Sequence, residues 1–195
     1  MRPRSTRDAT MDDISRLMTE QLRDAYSAEK QALRAMQKMM KHAANDRLRQ
    51  GLQAHIDQTE GHMERLDQAL DQLGGKPGRK VCEAMRGLIE EANHEMGEAE
   101  RGPMMDVVII AAAQRMEHYE IASYGTLAAL ARAAGQDQLA KLLHQTLEEE
   151  KKMDEDLSSV AEAEVNRAWI MDARMSDEDR ETANENRRAA RRKAG

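Results

Sequence analysis

Apolar side chains recur along this chain every three or four residues, the spacing that gathers them on one face of an α-helix. From about Met11 to about Ala43 the inward positions read Ile14, Leu17, Leu22, Tyr26, Leu33, Met36 and Met40. The stretch Ala44-Asn45-Asp46 breaks this run and offers Asn or Asp as the N-cap of the next helix. That second helix runs to about Leu73, with Leu48, Leu52, Leu66 and Leu70 on one face. The segment GGKPGR, residues 74–79, reads as a loop, and a shorter helix follows in KVCEAMRGLIEEANHEM. Arg101-Gly102-Pro103 ends it. A third long helix runs from about Met105 to Ala134 and opens with the most apolar run of the chain, MMDVVIIAAAQR. Gly135 suits the left-handed residue that closes a helix. The fourth long helix begins after Gln136 and runs to about Arg167, with Leu139, Leu143, Leu147, Leu157 and Val160 inward. From Met175 on there is no apolar face, which predicts a disordered or frayed tail.

The pattern predicts an all-α fold, with a helical bundle over 11–167 and a polar tail over 168–195. Four long helices fall into two hairpins. The connection between Leu73 and Met105 is long enough to cross one bundle length, and it contains the short extra helix. Composition sharpens this picture. β-Branched residues are scarce, phenylalanine is absent, and 15 methionines are present, so the core is built from Leu, Ala, Ile, Val and Met. A single cysteine, Cys82, excludes a disulfide framework or a thiolate metal cluster.

The net charge of −6 argues against coating nucleic acid, so nucleic acid is not an expected partner. The basic end, RRAARRKAG, leaves DNA or an acidic partner as a weaker reading. The N-terminus lacks the apolar stretch of a secretory signal, and VVIIAAA is too short to span a bilayer. A cytoplasmic protein with no membrane contact is the expectation.

Each long helix also carries polar groups on its apolar stripe. The first places Glu29 seven residues after Leu22 and four before Leu33. The second places His55 and Thr59 there, with His62 as an additional contributor. The third places Glu117 and, one turn on, Glu120. The fourth places Glu150 seven residues from both Leu143 and Leu157, with Asp154 one turn later, while Glu148 and Glu149 fall to the side. One buried carboxylate is costly and several repel one another, so something positive must compensate. No lysine or arginine shares these stripes. A pair of divalent metal ions would compensate, and carboxylates with imidazole suit iron or manganese in a helical bundle. His118 and Tyr119 flank such a site, and the stripe Met36, Met39, Met40 is packing.

The segments LRDAYSAEKQAL, HIDQTEGHMERLDQ, GGKP followed by CEAM and GLIEE, AAAQRMEHYEIASYGTL and TLEEEKKMDEDL occur in this order over about residues 15–160. Together they resemble the bacterial YciE/YciF family of ferritin-like stress proteins. The resemblance implies a ferritin-like four-helix bundle, a carboxylate dimetal centre, a homodimer, and a ferroxidase assignment. It carries the metal positions onto Glu29, His55, Glu117, Glu120, Glu150 and Asp154. Ferritin-like half-sites pair Glu-x-x-His on the second and fourth helices. Here the second helix offers His55, then Gln58 and Thr59, and the fourth offers Glu-x-x-x-Asp, so the site is expected to be poorer in ligands on the second-helix side.

The functional expectation is a di-iron protein that binds Fe(II), two per chain, and oxidises it with oxygen or peroxide. Glu29, Glu117 and Glu150 would form its catalytic core, and manganese or zinc are alternative metals. The competing expectation is a non-enzymatic dimeric helical stress scaffold with a structural metal or none.

Overall fold

The computed structural model describes residues 10–175 together with 179, 182, 185 and 186. Its first helix, α1, spans Met11–His42 and its second, α2, spans Asp46–Gln72. Then come α3 (Glu83–Glu98), α4 (Pro103–Ala133) and α5 (Asp137–Val160). A π-helical turn at Ala161–Val165 leads into α6, Asn166–Ala173. No strand occurs among the described residues, and none of the helices is long and apolar enough to cross a membrane.

Local chemistry fixes the ends. Thr10 caps α1 in a reciprocal box with Asp13: each side chain takes the other residue's backbone N–H at 3.2 Å. Asn45 caps α2 by accepting the Leu48 N–H at 2.9 Å, which resolves the choice between Asn and Asp. Gly135 sits at φ +71° and Gly102 at φ +116°, backbone conformations that a Cβ would strain. Pro103 then occupies the first helical position of α4, where its missing N–H costs nothing.

Four helices close into a ring, with α1 beside α2, α2 beside α5, α5 beside α4 and α4 beside α1. Two apolar clusters give their directions. One joins Met36 and Met39 of α1 to Leu48 and Leu52 of α2, Ile109 of α4 and Leu157 of α5. The other joins Met18 and Leu22 to Leu66 and Leu70, Leu127 and Leu139. Neighbours in the ring are therefore antiparallel, and α2 and α4 run the same way. The chain must travel back along the bundle between them, and the loop and α3 do this, with α3 packed on α1 and α4. The expected all-α bundle with an extra helix in the crossover is the observed architecture.

The buried stripes alternate spacings of three and four residues on all four helices. On α1 the stripe is Met18, Leu22, Ala25, Glu29, Ala32, Met36 and Met39. Leu17, expected to face inward, is 52% exposed, and Met18 takes its place. Ile14, Tyr26, Leu33 and Met40 lie at the edge. Alanines complete the true stripe, so a reading weighted toward large side chains drifts off it.

The fourth helix was expected to end near Arg167, where the bundle gives way to the tail. The helical path instead passes through the π turn, which buries Val165, and reaches Ala173. Residues 179, 182, 185 and 186 are also helical, and the rest of the expected frayed tail lies outside the described residues.

Candidate metal centre

Between the two apolar clusters lies a polar belt. Each of the four bundle helices contributes to it where its stripe passes mid-bundle: Glu29 from α1, His55, Thr59 and His62 from α2, Glu117 and Glu120 from α4, and Thr146 and Glu150 from α5. All are at most 2% exposed. The threonines are occupied. Thr59 donates to the His55 carbonyl at 2.9 Å, and Thr146 accepts from Arg65 Nε at 2.8 Å.

The histidines and carboxylates assemble into two groups that share one residue. Glu29, His62 and Glu150 form the first, and His55, Glu117 and Glu150 form the second. Within each group one ligand atom per residue lies within 4.8 Å of the others. His62 Nδ1 stands 2.9 Å from Glu150 Oε1 and 3.4 Å from Glu29 Oε1. His55 Nε2 stands 3.4 Å from Glu150 Oε2 and 3.5 Å from Glu117 Oε1. The two oxygens of Glu150 thus face different groups, the arrangement a bridging carboxylate needs.

Close approach has not produced hydrogen bonds. His62 Nδ1, both ring nitrogens of His55, Glu117 Oε2, Glu120 Oε1 and both Glu150 oxygens are buried without a directional partner. Folded proteins satisfy nearly all buried polar atoms, so this many unsatisfied atoms in one place require a reason. A cation between them would use their lone pairs and offset their charge. The donor set, imidazole nitrogen and carboxylate oxygen, fits iron, manganese or zinc.

The electrostatics of the metal-free belt follow from burial and mutual charge. Burial pushes the Glu117 and Glu120 carboxyls well above the usual carboxylate range, and the charges of Glu150 and Glu29 respectively add to this. Burial also raises Glu29, against the opposing pull of His62, and lowers His55. At His62 burial disfavours the imidazolium, but Glu150 and Glu29 outweigh it and push the pKa up to about 10. For Glu150 burial opposes ionisation, yet His62 and His55 hold it below the usual range. His62 and Glu150 thus form a buried ion pair beside carboxyls that burial pushes toward the protonated form.

Around the belt stands a supporting layer. His62 Nε2 lies 3.0 Å from Glu149 Oε2, and Arg65 donates to the same oxygen. This fixes the ring with Nδ1 toward the centre, as carboxylates behind metal-binding histidines do. Tyr124 donates its hydroxyl to Glu29 Oε1.

Of the residues singled out in the sequence, Glu29, His55, Glu117 and Glu150 lie in the two groups. Glu120 shares the belt but joins neither group. Asp154 is turned to the bundle's outer edge, because Met153 takes the buried position. There it accepts from Gln114 Nε2 at 3.0 Å and faces His118 at 3.3 Å. Where the sequence reading expected few ligands from the second helix, two histidines of α2, His55 and His62, seven residues apart on one stripe, each belong to one of the two groups. Glu149, set aside as lateral, is the residue that orients His62. The heptad step from His55 to His62 was the available signal.

A family described as "Domain of unknown function (DUF892)" matches residues 13–169. Protein YciF of Escherichia coli (strain K12) is 46% identical over 158 residues, covering 80% of this chain and 95% of that protein. The crystal structure of the E. coli stress protein YciF aligns with a TM-score of 0.75 over 80% of this chain and 99% of the other. A ferritin-like diiron-carboxylate protein from Bacillus anthracis is 17% identical and aligns with a TM-score of 0.59 over 77% of this chain and 99% of that one. At that identity the likeness bears on fold alone, which is ferritin-like.

Proposed function

The chain belongs to the DUF892 family, and from that premise we propose that it is a dimetal protein that binds two Fe(II) ions and oxidises them with dioxygen or peroxide. The observation that carries this reading is the pair of buried ligand groups sharing Glu150, with their lone pairs unused. Glu29 and His62 would hold one ion, and His55 and Glu117 the other. Glu150 would bridge them, and Glu120 would stand in reserve beside both. Iron held there supplies the electrons passed to the oxidant, one from each Fe(II).

The remaining work belongs to the side chains. The carboxylates supply negative charge that favours the ferric state. Because burial raises the Glu117 and Glu120 carboxyls well above the usual range, loading must displace any protons they carry. His62 also gives up its proton from Nδ1. Glu149, whose side chain is 26% exposed and lies against His62 Nε2, offers the route by which protons reach solvent. The apolar clusters above and below keep bulk water out and strengthen every interaction inside.

A role under stress is supported by the description of the E. coli relative as a stress protein. The sequence resemblance supports a homodimer. Oxygen uptake on adding Fe(II) to metal-free protein tests the proposal, because metal content alone does not separate an oxidase from a protein carrying structural zinc. Uptake tied to Fe(II), and abolished by Glu117→Ala with Glu150→Ala, is the expected result. Normal uptake in that double variant would refute the site.

A further inference from the structure

Cys82, Tyr119 and Asp24 converge from three parts of the chain. Asp24 lies on α1, Cys82 just before α3, and Tyr119 on α4 next to Glu120. The Tyr119 hydroxyl is 2.8 Å from Asp24 Oδ2 and 3.0 Å from Cys82 Sγ. A phenol has one proton to donate. Tyr119 gives it to Asp24, so the contact with Cys82 must run from the thiol to the phenol oxygen. The three form an ordered chain, S–H to O–H to carboxylate.

The cysteine is held in place on both sides. Its N–H donates to Ser27 Oγ at 3.0 Å, and its carbonyl accepts from Gln31 Nε2 at 3.1 Å. Its sulfur also accepts the Met85 N–H at 3.5 Å, which makes it the N-cap of α3. Capping alone is better served by oxygen, as at Thr10 and Asn45, and it does not account for the phenol and carboxylate aligned behind the sulfur. Asp24 reaches the edge of the bundle, where Lys80 Nζ lies 3.7 Å from it.

We infer that this chain of groups is a proton-coupled electron relay serving the proposed metal centre, with Tyr119 as the residue oxidised and Cys82 as the hydrogen donor behind it. The inference rests on the oxidase reading for its oxidant, dioxygen or a peroxide reduced at the centre. In the first step the Tyr119 O–H bond breaks. The electron goes to that oxidant and the proton to Asp24. In the second step the Cys82 S–H bond breaks and an O–H bond re-forms on Tyr119, leaving a sulfur radical. An electron from a further Fe(II), with the proton returning from Asp24 through the Tyr119 hydroxyl, restores the thiol. Burial pushes the Cys82 thiol up, so two-electron thiolate chemistry is disfavoured and hydrogen-atom donation is what the site retains.

The test uses the metal-free full-length chain, oxidised by a laser-flashed ruthenium polypyridyl with persulfate and frozen for electron paramagnetic resonance. No iron is needed, so the outcome stands whatever iron binding shows. The expected result is a tyrosyl radical that is lost in Tyr119→Phe and retained in Tyr26→Phe and Tyr124→Phe. The radical should form in lower yield in Asp24→Asn and survive longer in Cys82→Ser. Circular dichroism checks each variant's helix content. Should Tyr119→Phe fail to fold, the Asp24 and Cys82 variants decide the matter. An unchanged radical in Tyr119→Phe, or yield and decay unaffected by Asp24→Asn and Cys82→Ser, would overturn the relay.

Discussion

Replacing Glu120 by leucine should make the metal-free protein more stable while impairing its metal chemistry. Glu120 is 2% exposed, and its Oε1 has no hydrogen-bond partner. Burial raises its carboxyl well above the usual carboxylate range, with the charges of Glu29, Glu150 and Glu117 pushing the same way. An unsatisfied buried polar atom costs about 1–3 kcal/mol, and leucine fills nearly the same volume without that cost. At about 2–4 °C per kcal/mol for chains of this size, Glu120→Leu should raise the metal-free melting temperature by roughly 2–12 °C. Glu120→Gln is the control: it keeps polar atoms in the belt and should recover little of the gain. Calorimetry on protein stripped with chelator reads the effect. Fe(II) added in about hundredfold excess over Kd should then stabilise the wild type by about 2.7 kcal/mol for each site filled. The same addition should stabilise the variant less. A Glu120→Leu protein no more stable than wild type without metal would refute the claim that the belt is a stored cost maintained for a ligand.

Three further outcomes follow from the same geometry. His62→Ala should lower Fe(II) stoichiometry from two per chain to one, because His55, Glu117 and Glu150 remain as a group; anaerobic titration calorimetry reads this directly. Glu149→Gln leaves every proposed ligand in place but weakens the anchor on His62 Nε2, and it should reduce affinity at that half of the site about 10–100-fold in the same titration. The third concerns pH. His62 titrates near 6.5 when unfolded and at about 10 when folded, so its contribution to metal-free stability is complete below pH 6.5 and fades as pH rises toward 10. Glu117 and Glu120, also raised, give the same sign, with their contribution present below pH 4.5 and lost as pH rises through their folded values. Melting temperature should therefore fall from neutral toward alkaline pH, and a flat or rising profile would contradict the assignment.

The bundle was legible because its helices are long and its punctuation is strong. Asn45, Gly102-Pro103 and Gly135 each do one local job that their chemistry dictates, and the connection between Leu73 and Met105 is too long for a simple hairpin. The four helices that carry the polar belt were legible too, since a carboxylate or histidine on an apolar stripe stands out. What escaped was phase. Ala25, Ala28 and Ala32 define the buried face of α1 as much as its large residues do, but small side chains carry little weight in a hydrophobicity reading. The same loss of phase moved Asp154 onto a stripe that Met153 occupies, and left His62 as an accessory although it belongs to one of the two groups. Asp106 is buried for a structural reason that no spacing announces: its carboxylate accepts the N–H groups of Ala44 and Asn45 at 2.5 and 2.9 Å, locking the turn between α1 and α2 to α4. The contacts of Cys82 and Tyr119 are 37 residues apart in sequence and depend on where the crossover lands.

The central claim is that two metal ions share Glu150. Anomalous diffraction at the iron edge, from crystals soaked anaerobically in Fe(II), tests it most directly. Two peaks per chain are expected inside the bundle, one bound by Glu29 and His62, the other by His55 and Glu117, with Glu150 touching both. Iron found only on surface carboxylates, with the belt empty, would contradict it.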